Sequence, residues 1–268
     1  MGLLESILAA RRQQTEAARR VLPLVELKAR VADLPPRRAG RFVAAIRAAS
    51  APEQGRVAVI AELKRYSPSA GPIRPDLDLV AMTRIFEAGG AAALSVLTEQ
   101  HYFGGNPRDL ELVRQVTERP LLCKDFLVEP YTVYEARLRG ADAVLLITRL
   151  LSAQQLVDLL GLAHDLGLDA LVEIHGPDEL PLALASGAEL IGINNRDLDS
   201  LRIDLSRVRE LAPLVPGDRV VIAESGYKHP ADVAGLAKLG VRAVLVGESV
   251  LRATDPALHL RQLAAAAG

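Results

Sequence analysis

Four stretches of this chain repeat one piece of local chemistry, and that repetition constrains the fold more than any other feature. EAGGAAAL from Glu87, LRGADAVLL from Leu138, ASGAELIGI from Ala185 and KLGVRAVLV from Lys238 each end a helix-like pattern in glycine and run into a short apolar strand. Glycine takes the left-handed helix cap without a Cβ penalty, so each stretch reads as a helix-to-strand turn. From Val57 onward strand and helix patterns alternate with a period of roughly 20 to 35 residues, which is the βα signature of a parallel sheet.

The strand patterns cover Val57 to Glu62, Ala93 to Leu97, Leu121 to Lys124, Ala143 to Ile147, Asp169 to Glu173, Leu190 to Asn194, Val220 to Glu224 and Ala243 to Val246. Helical patterns lie between them, at Leu79 to Glu87, Asp109 to Val116, Tyr131 to Arg139, Ala153 to Leu166, Asp178 to Ala185, Ser206 to Leu211 and Pro230 to Leu239, with a last one at Ala257 to Ala266. Eight such units predict an α/β fold of the closed (β/α)8 TIM-barrel type, with helices outside and alternate strand residues filling the inside. A doubly wound open sheet is the alternative. It would usually carry a G-x-G-x-x-G fingerprint after its first strand, and ELKRYSPSAG from Glu62 has none. Half of the residues are hydrophobic but only 3% aromatic, so the core must be built from aliphatic side chains in regular layers, which suits a repetitive architecture.

Before the first strand the periodicity predicts helices over Leu3 to Arg20, Leu24 to Ala32 and Arg41 to Ala49, with Pro35 and Pro36 interrupting the pattern. We therefore expect one domain over residues 1–268, of which 1–56 form a helical N-terminal extension. Leu3, Leu4, Ile7 and Leu8 share a face that needs covering. The nearest partner is the barrel, with part of the extension over the carboxyl-end rim; the alternative is a helical cap at the opposite end.

The ends of the strand patterns differ from their interiors. LLCKDFL at Leu121 places Lys124 and Asp125 where a buried strand would finish, and a buried lysine either titrates low or is held charged by anionic neighbours. The bland alternative is a lysine emerging into water beside its own aspartate. Glu62 and Lys64, two residues apart on one face, end the first pattern; Glu173 ends the fifth, Asn194, Asn195 and Arg196 the sixth, and Glu224 and Ser225 the seventh. In a barrel these converge on the carboxyl-end rim, where the active site lies. IAESGY at Ile222 and VGESV at Val246 add glycines directly after the last two strands, where Gly226, Gly247 and the amide of Glu248 can approach a phosphate. Cys123 alternates to the face opposite Lys124 and reads as packing.

Thirty-two basic residues nearly cancel 33 acidic ones, and the net charge of −1 gives no general field for nucleic acid or an anionic membrane. The one cysteine excludes an intrachain disulfide, and the five histidines show no metal-ligand spacing. With no signal-peptide or membrane-span pattern, we expect a cytoplasmic protein acting on a small phosphorylated molecule, as a monomer or weak homo-oligomer.

IAELKRYSPSAG, FEAGGAAALSVLTE, LLCKDFLVEPYTVYEAR, ALVEIH, LIGINNRDL, IAESGY and VLVGESVLR, in that order along nearly the whole chain, resemble indole-3-glycerol phosphate synthase. The resemblance implies closure of 1-(2-carboxyphenylamino)-1-deoxyribulose 5-phosphate to an indole with loss of carbon dioxide and water, and no metal or organic cofactor. It implies Lys124 as general acid and Glu173 as general base, with Glu62 and Lys64 positioning the substrate and helping dehydration. Asn194 and Arg196, and Glu224 and Ser225, match the polar pairs after strands six and seven. Lys64, Gly226, Gly247 and the amide of Glu248 correspond to the phosphate site, Ser67 and Ser69 line the pocket, and Phe126 and Leu127 lie near the anthranilate ring. Cys123 stands where arginine is common, Tyr227 where isoleucine is usual, and Ala70 with Pro72 alters the loop after SPS.

Two other classes fit a rim of this kind. A Schiff-base aldolase or other phosphosugar lyase would use Lys124 as a nucleophile instead of an acid, and a non-catalytic barrel would bind a phosphometabolite without turnover.

Overall fold

Eight parallel strands close into a ring in the computed structural model, which describes residues 2–266. They are β1 (Ala58–Leu63), β2 (Ala93–Leu97), β3 (Leu121–Lys124), β4 (Ala143–Ile147), β5 (Asp169–Ile174), β6 (Leu190–Asn194), β7 (Val220–Glu224) and β8 (Val241–Val246). β1 pairs with β2 on one side, Ile60 opposite Ala93, and with β8 on the other, Ala58 opposite Ala243. Helices follow the strands in alternation, so the fold is a (β/α)8 TIM barrel. The bounds agree with the sequence reading except that β1 is displaced by one residue, β5 runs on to Ile174 and β8 begins at Val241.

Strand alternation sorts the side chains into two cores. Val59, Val144, Val172, Val221 and Val244 point outward into the layer shared with the helices. Ala58, Ile60, Leu122, Leu171, Leu190, Ile222 and Leu245 point inward and form the barrel interior. Two or four residues further along the same inward columns come Glu62, Lys124, Glu173, Asn194, Glu224 and Gly247. The period of two that fills the barrel with aliphatic side chains therefore delivers the polar ones to its mouth.

The extension serves both ends of the barrel. Helix α1 (Leu3–Val21) places Leu3, Leu4 and Ile7 over the carboxyl-end rim, while Arg11 reaches Asp125, Nε to Oδ1 3.0 Å, just after β3. Helix α2 (Leu24–Ala32) packs Leu27 and Val31 on Tyr131 of the helix Pro130–Leu138. Helix α3 (Arg41–Ala49) plugs the other end with Phe42, Val43 and Ile46, and each such fully buried side chain contributes about 1.5–3 kcal/mol. Asp169, the first residue of β5, fastens that plug by accepting the amides of Gly40 at 2.6 Å and Phe42 at 2.7 Å. Below β4, Asp142 gathers Arg41, Arg114 and Arg37 within 2.8, 2.9 and 3.2 Å.

Two local features differ from the sequence reading. The expected helix Pro230 to Leu239 splits into Pro230–Val233 and a 3-10 turn Ala237–Leu239, because Gly235 adopts a φ of 81° that no helix contains. The segment after β1 is a short hairpin, Tyr66–Ser67 against Gly71–Pro72, tightened by Ala70 N donating to Ser67 Oγ at 3.2 Å. Gly71, with a φ of 64°, opens the second arm opposite Ser67.

Candidate active site

The inward-facing ions meet across the mouth of the barrel. Lys124 Nζ lies 2.6 Å from Glu173 Oε2 and 2.6 Å from Glu224 Oε2, so one ammonium from β3 joins carboxyls from β5 and β7. Asn194 on β6, between those two strands, donates from Nδ2 to the other oxygen of Glu173 at 3.1 Å. On β1 the Lys64 ammonium is 2.6 Å from Glu62 Oε2. Gly247 stands over this pair: a Cβ there would come within 2.7 Å of Glu62 Oε2 and 3.2 Å of Lys64 Cε, so any side chain at this position would press on the pair.

Burial and charge set the protonation of this cluster. Desolvation works against the Lys124 charge, but Glu173, Glu224 and Glu62 outweigh it and raise its pKa above the ordinary lysine value. Burial acts to raise both carboxyls as well. At Glu173 the Lys124 charge and the contact with His175 prevail and hold it well below the usual range. At Glu224 burial wins over the pull of Lys124, with the Glu173 charge adding to it, and pushes the carboxyl up to about 8. The site therefore holds an ammonium beside an ionised Glu173, with Glu224 biased toward its protonated form, and Glu224 Oε1 is buried with no hydrogen-bond partner in the protein.

The turn after β7 is built by its backbone and its neighbours. Ser225 adopts a φ of 65°, a left-handed conformation that costs a non-glycine residue on the order of 1 kcal/mol, and Gly226 follows at 94°. Asn195 Nδ2 secures the turn by donating to Ser225 O and to Tyr227 Oη, both at 3.0 Å. Tyr227 is thus a hydrogen-bonding brace, and burial pushes its phenol up to about 12. Arg196 lies across from it, its backbone N–H on Asn194 Oδ1 at 3.0 Å and its Nη1 on Leu201 O at 3.0 Å. Among the described residues, no group of three or more His, Cys, Asp or Glu side chains is arranged to hold a metal ion.

A sequence model of the family described as Indole-3-glycerol phosphate synthase matches residues 4–263. The chain belongs to the indole-3-glycerol phosphate synthase family. It is 44% identical over 264 residues to the indole-3-glycerol phosphate synthase of one Dehalococcoides mccartyi strain, covering 97% of this chain and 99% of that one. To the enzyme of a second strain it is 43% identical with the same coverage. Among solved structures, 3-hexulose-6-phosphate synthase from Salmonella typhimurium aligns with a TM-score of 0.62 at 15% identity, over 78% of this chain and 98% of its own. Thiamine phosphate pyrophosphorylase from Pyrococcus furiosus aligns at 0.59 and 19%, over 79% and 95%. At those identities the likeness shows the barrel alone.

Of the residues that the indole-3-glycerol phosphate synthase resemblance singles out, all but one face a single cavity at the rim. The exception is Leu127. It is buried in the layer between strands and helices, because Phe126 beside it turns toward the cavity and Leu127 turns away. Cys123 likewise faces outward from Lys124, 3.6 Å from Thr98 Oγ1, and burial pushes its thiol up to about 12. Apolar walls come from Leu3, Leu4, Ile7, Phe103 and Leu198, which the family motifs do not include. His175 closes the ALVEIH motif but carries no role in that reading. Its position two residues after Glu173, on the same side of the strand, was the available signal.

Proposed function

We propose that this chain carries out its family's reaction with Lys124 as general acid and Glu173 as general base. The substrate is 1-(2-carboxyphenylamino)-1-deoxyribulose 5-phosphate. One observation carries this division of roles: the Lys124 ammonium sits 2.6 Å from a carboxyl oxygen of Glu173 and 2.6 Å from one of Glu224, so a proton donor and a candidate base stand side by side at the mouth of the barrel.

Ring closure requires a proton on the C2 carbonyl oxygen as the aromatic carbon attacks it, and a buried ammonium supplies that proton while its charge favours the substrate carboxylate. Carbon dioxide then leaves and restores the aromatic ring. In the following dehydration the C2 hydroxyl departs with a proton from Lys64 or Lys124, and Glu173 takes a proton from the adjacent C1 methylene, which forms the indole C=C and leaves the ring N–H in place. Glu62 orients Lys64, and Asn194 orients Glu173. Glu224, 2.6 Å from the Lys124 ammonium, helps hold that ammonium in place. A Schiff base would need Lys124 neutral, which its carboxyl partners oppose.

Lys64 and the amides of Gly226, Gly247 and Glu248 hold the phosphate in this reading, with Ser67, Ser69, Phe126, Arg196 and Ser225 around the rest of the substrate. The apolar walls suit the anthranilate ring. The near-zero net charge and the small enclosed site support a small-molecule partner rather than nucleic acid, in a cytoplasmic protein that is a monomer or weak homo-oligomer. No described helix is long and apolar enough to cross a membrane. We treat residues 1–268 as one domain with 1–56 as its extension. Fluorescence-monitored turnover of the carboxyphenylamino-deoxyribulose phosphate, with a chelator present, tests the reading. Sustained formation of an indole product is expected, and binding without turnover would contradict it.

A further inference from the structure

Behind the proposed base lies a buried imidazole that the reaction as described does not use. His175 follows β5, and its side chain is wholly inaccessible to solvent. Its Nε2 is 3.1 Å from Glu173 Oε1, the oxygen turned away from Lys124. Its Nδ1 is 3.6 Å from Glu179 Oε2, which also accepts the His175 backbone N–H at 2.9 Å. Glu179 Oε1 in turn accepts from Arg149 Nε at 3.1 Å.

Charges thus alternate along one row, from Lys124 through Glu173, His175 and Glu179 to Arg149. The groups facing the imidazole are Glu173 on β5 and Glu179 at the start of the helix Leu180–Ala185. Lys124 stands behind the first and Arg149 behind the second, and Asn194 shares Glu173 Oε1 from β6. Neither ring nitrogen makes an aligned hydrogen bond. A neutral imidazole would therefore lose its hydration for nothing, whereas an imidazolium between two carboxylates is held by attraction from both sides.

We propose that His175 is a positioning residue, an imidazolium that anchors Glu173 Oε1 so that Oε2 is presented to Lys124 and the substrate. This deepens the proposed function and rests on Glu173 being its base. Burial alone would lower the His175 pKa; Glu173 and Glu179 outweigh it and raise it to about 9, which keeps the ring charged at neutral pH. A purely structural histidine, fastening the end of β5 to the following helix through Glu179, would need no charge and would leave the titration of Glu173 alone.

His175→Gln keeps a donor near Glu173 Oε1 but removes the charge, and its pH profile separates the two. We expect kcat to fall roughly ten- to hundredfold with KM little changed, the acid limb of kcat to move to higher pH, and an alkaline limb near pH 9 to disappear. Limbs that stay in place in a folded His175→Gln overturn the proposal. Glu173→Gln is the control: near-normal turnover there would refute the base itself, whereas its inactivity together with unmoved limbs in His175→Gln refutes only the positioning role. Should His175→Gln fail to fold, NMR titration of the histidine rings in the unaltered protein decides. A His175 resonance titrating near pH 9 supports the imidazolium, and one titrating at or below the ordinary histidine value overturns it.

Discussion

Gly192 on β6 makes room for Glu224 on β7. A Cβ on Gly192 would collide with Glu224 Oε1 and come within 3.2 Å of Leu171 Cδ1, so a missing methyl group lets the carboxyl turn inward to Lys124. Gly192 does not adopt a left-handed conformation, and the constraint is one of space. Gly192→Ala should displace Glu224 and lower kcat about tenfold or more, while overpacking costs roughly 1–3 kcal/mol of stability. Unchanged kcat in the alanine variant would mean that Glu224 does not need its observed position.

The same reasoning applies to Gly247, with a different readout. Gly247→Asp puts a carboxylate where the phosphate should lie and against the Glu62–Lys64 pair. KM should rise more than kcat falls, and inorganic phosphate should bind more weakly by titration calorimetry. An unaltered phosphate affinity would move the phosphate site elsewhere.

Deleting residues 1–32 removes Leu3, Leu4 and Ile7 from the cavity wall and takes Arg11 from Asp125, while leaving the α3 plug in place. Stripping one partner from a buried ion pair costs about 3–5 kcal/mol, and Tyr131 also loses its cover. The shortened protein should keep its circular dichroism at room temperature, melt earlier and bind substrate more weakly. Unchanged Michaelis parameters in a well-folded truncation would make the extension purely structural.

Two of the raised pKa values also give stability a sign with pH between neutrality and pH 9. His175, raised from 6.5 to about 9, contributes stability that is fully present below pH 6.5 and lost as pH rises through 9. Glu224, pushed up to about 8, binds its proton more tightly when folded than when unfolded, so it too favours the folded state less as pH climbs toward 8. Glu173 is held low and adds slope only in acid, where its contribution is lost as pH falls through its folded pKa. The urea midpoint should therefore decline from pH 6.5 to 9, and less steeply in His175→Gln. A flat or rising midpoint over that window would contradict the charged His175.

Much of this was legible in the chain because a single period carried it. Glycine-capped turns marked the βα units, and the polar residue at the end of each inward column, such as Lys124 after Leu122 or Glu224 after Ile222, marked the rim. Leu127 shows where a motif alone misleads: adjacent residues at a strand end face opposite ways, and only Phe126 reaches the cavity. His175, though part of the ALVEIH motif, drew no role because histidines were weighed for metal spacing, whereas its partners Glu173 and Glu179 come together only through the turn after β5. The break at Gly235 and the hairpin at Ser67 depend on backbone conformations that periodicity does not encode. Tyr227, a departure from the family pattern, acquired a meaning once Asn195 was seen to bond to it.

Lys124→Ala tests the general acid most directly, through steady-state kinetics by indole fluorescence alongside circular dichroism and a melting curve. Loss of a positioned proton donor should lower turnover by about 10² to 10⁴ while the barrel signature survives. A folded Lys124→Ala protein that forms the indole product at a near-normal rate would contradict the role given to this lysine and to the carboxyls around it.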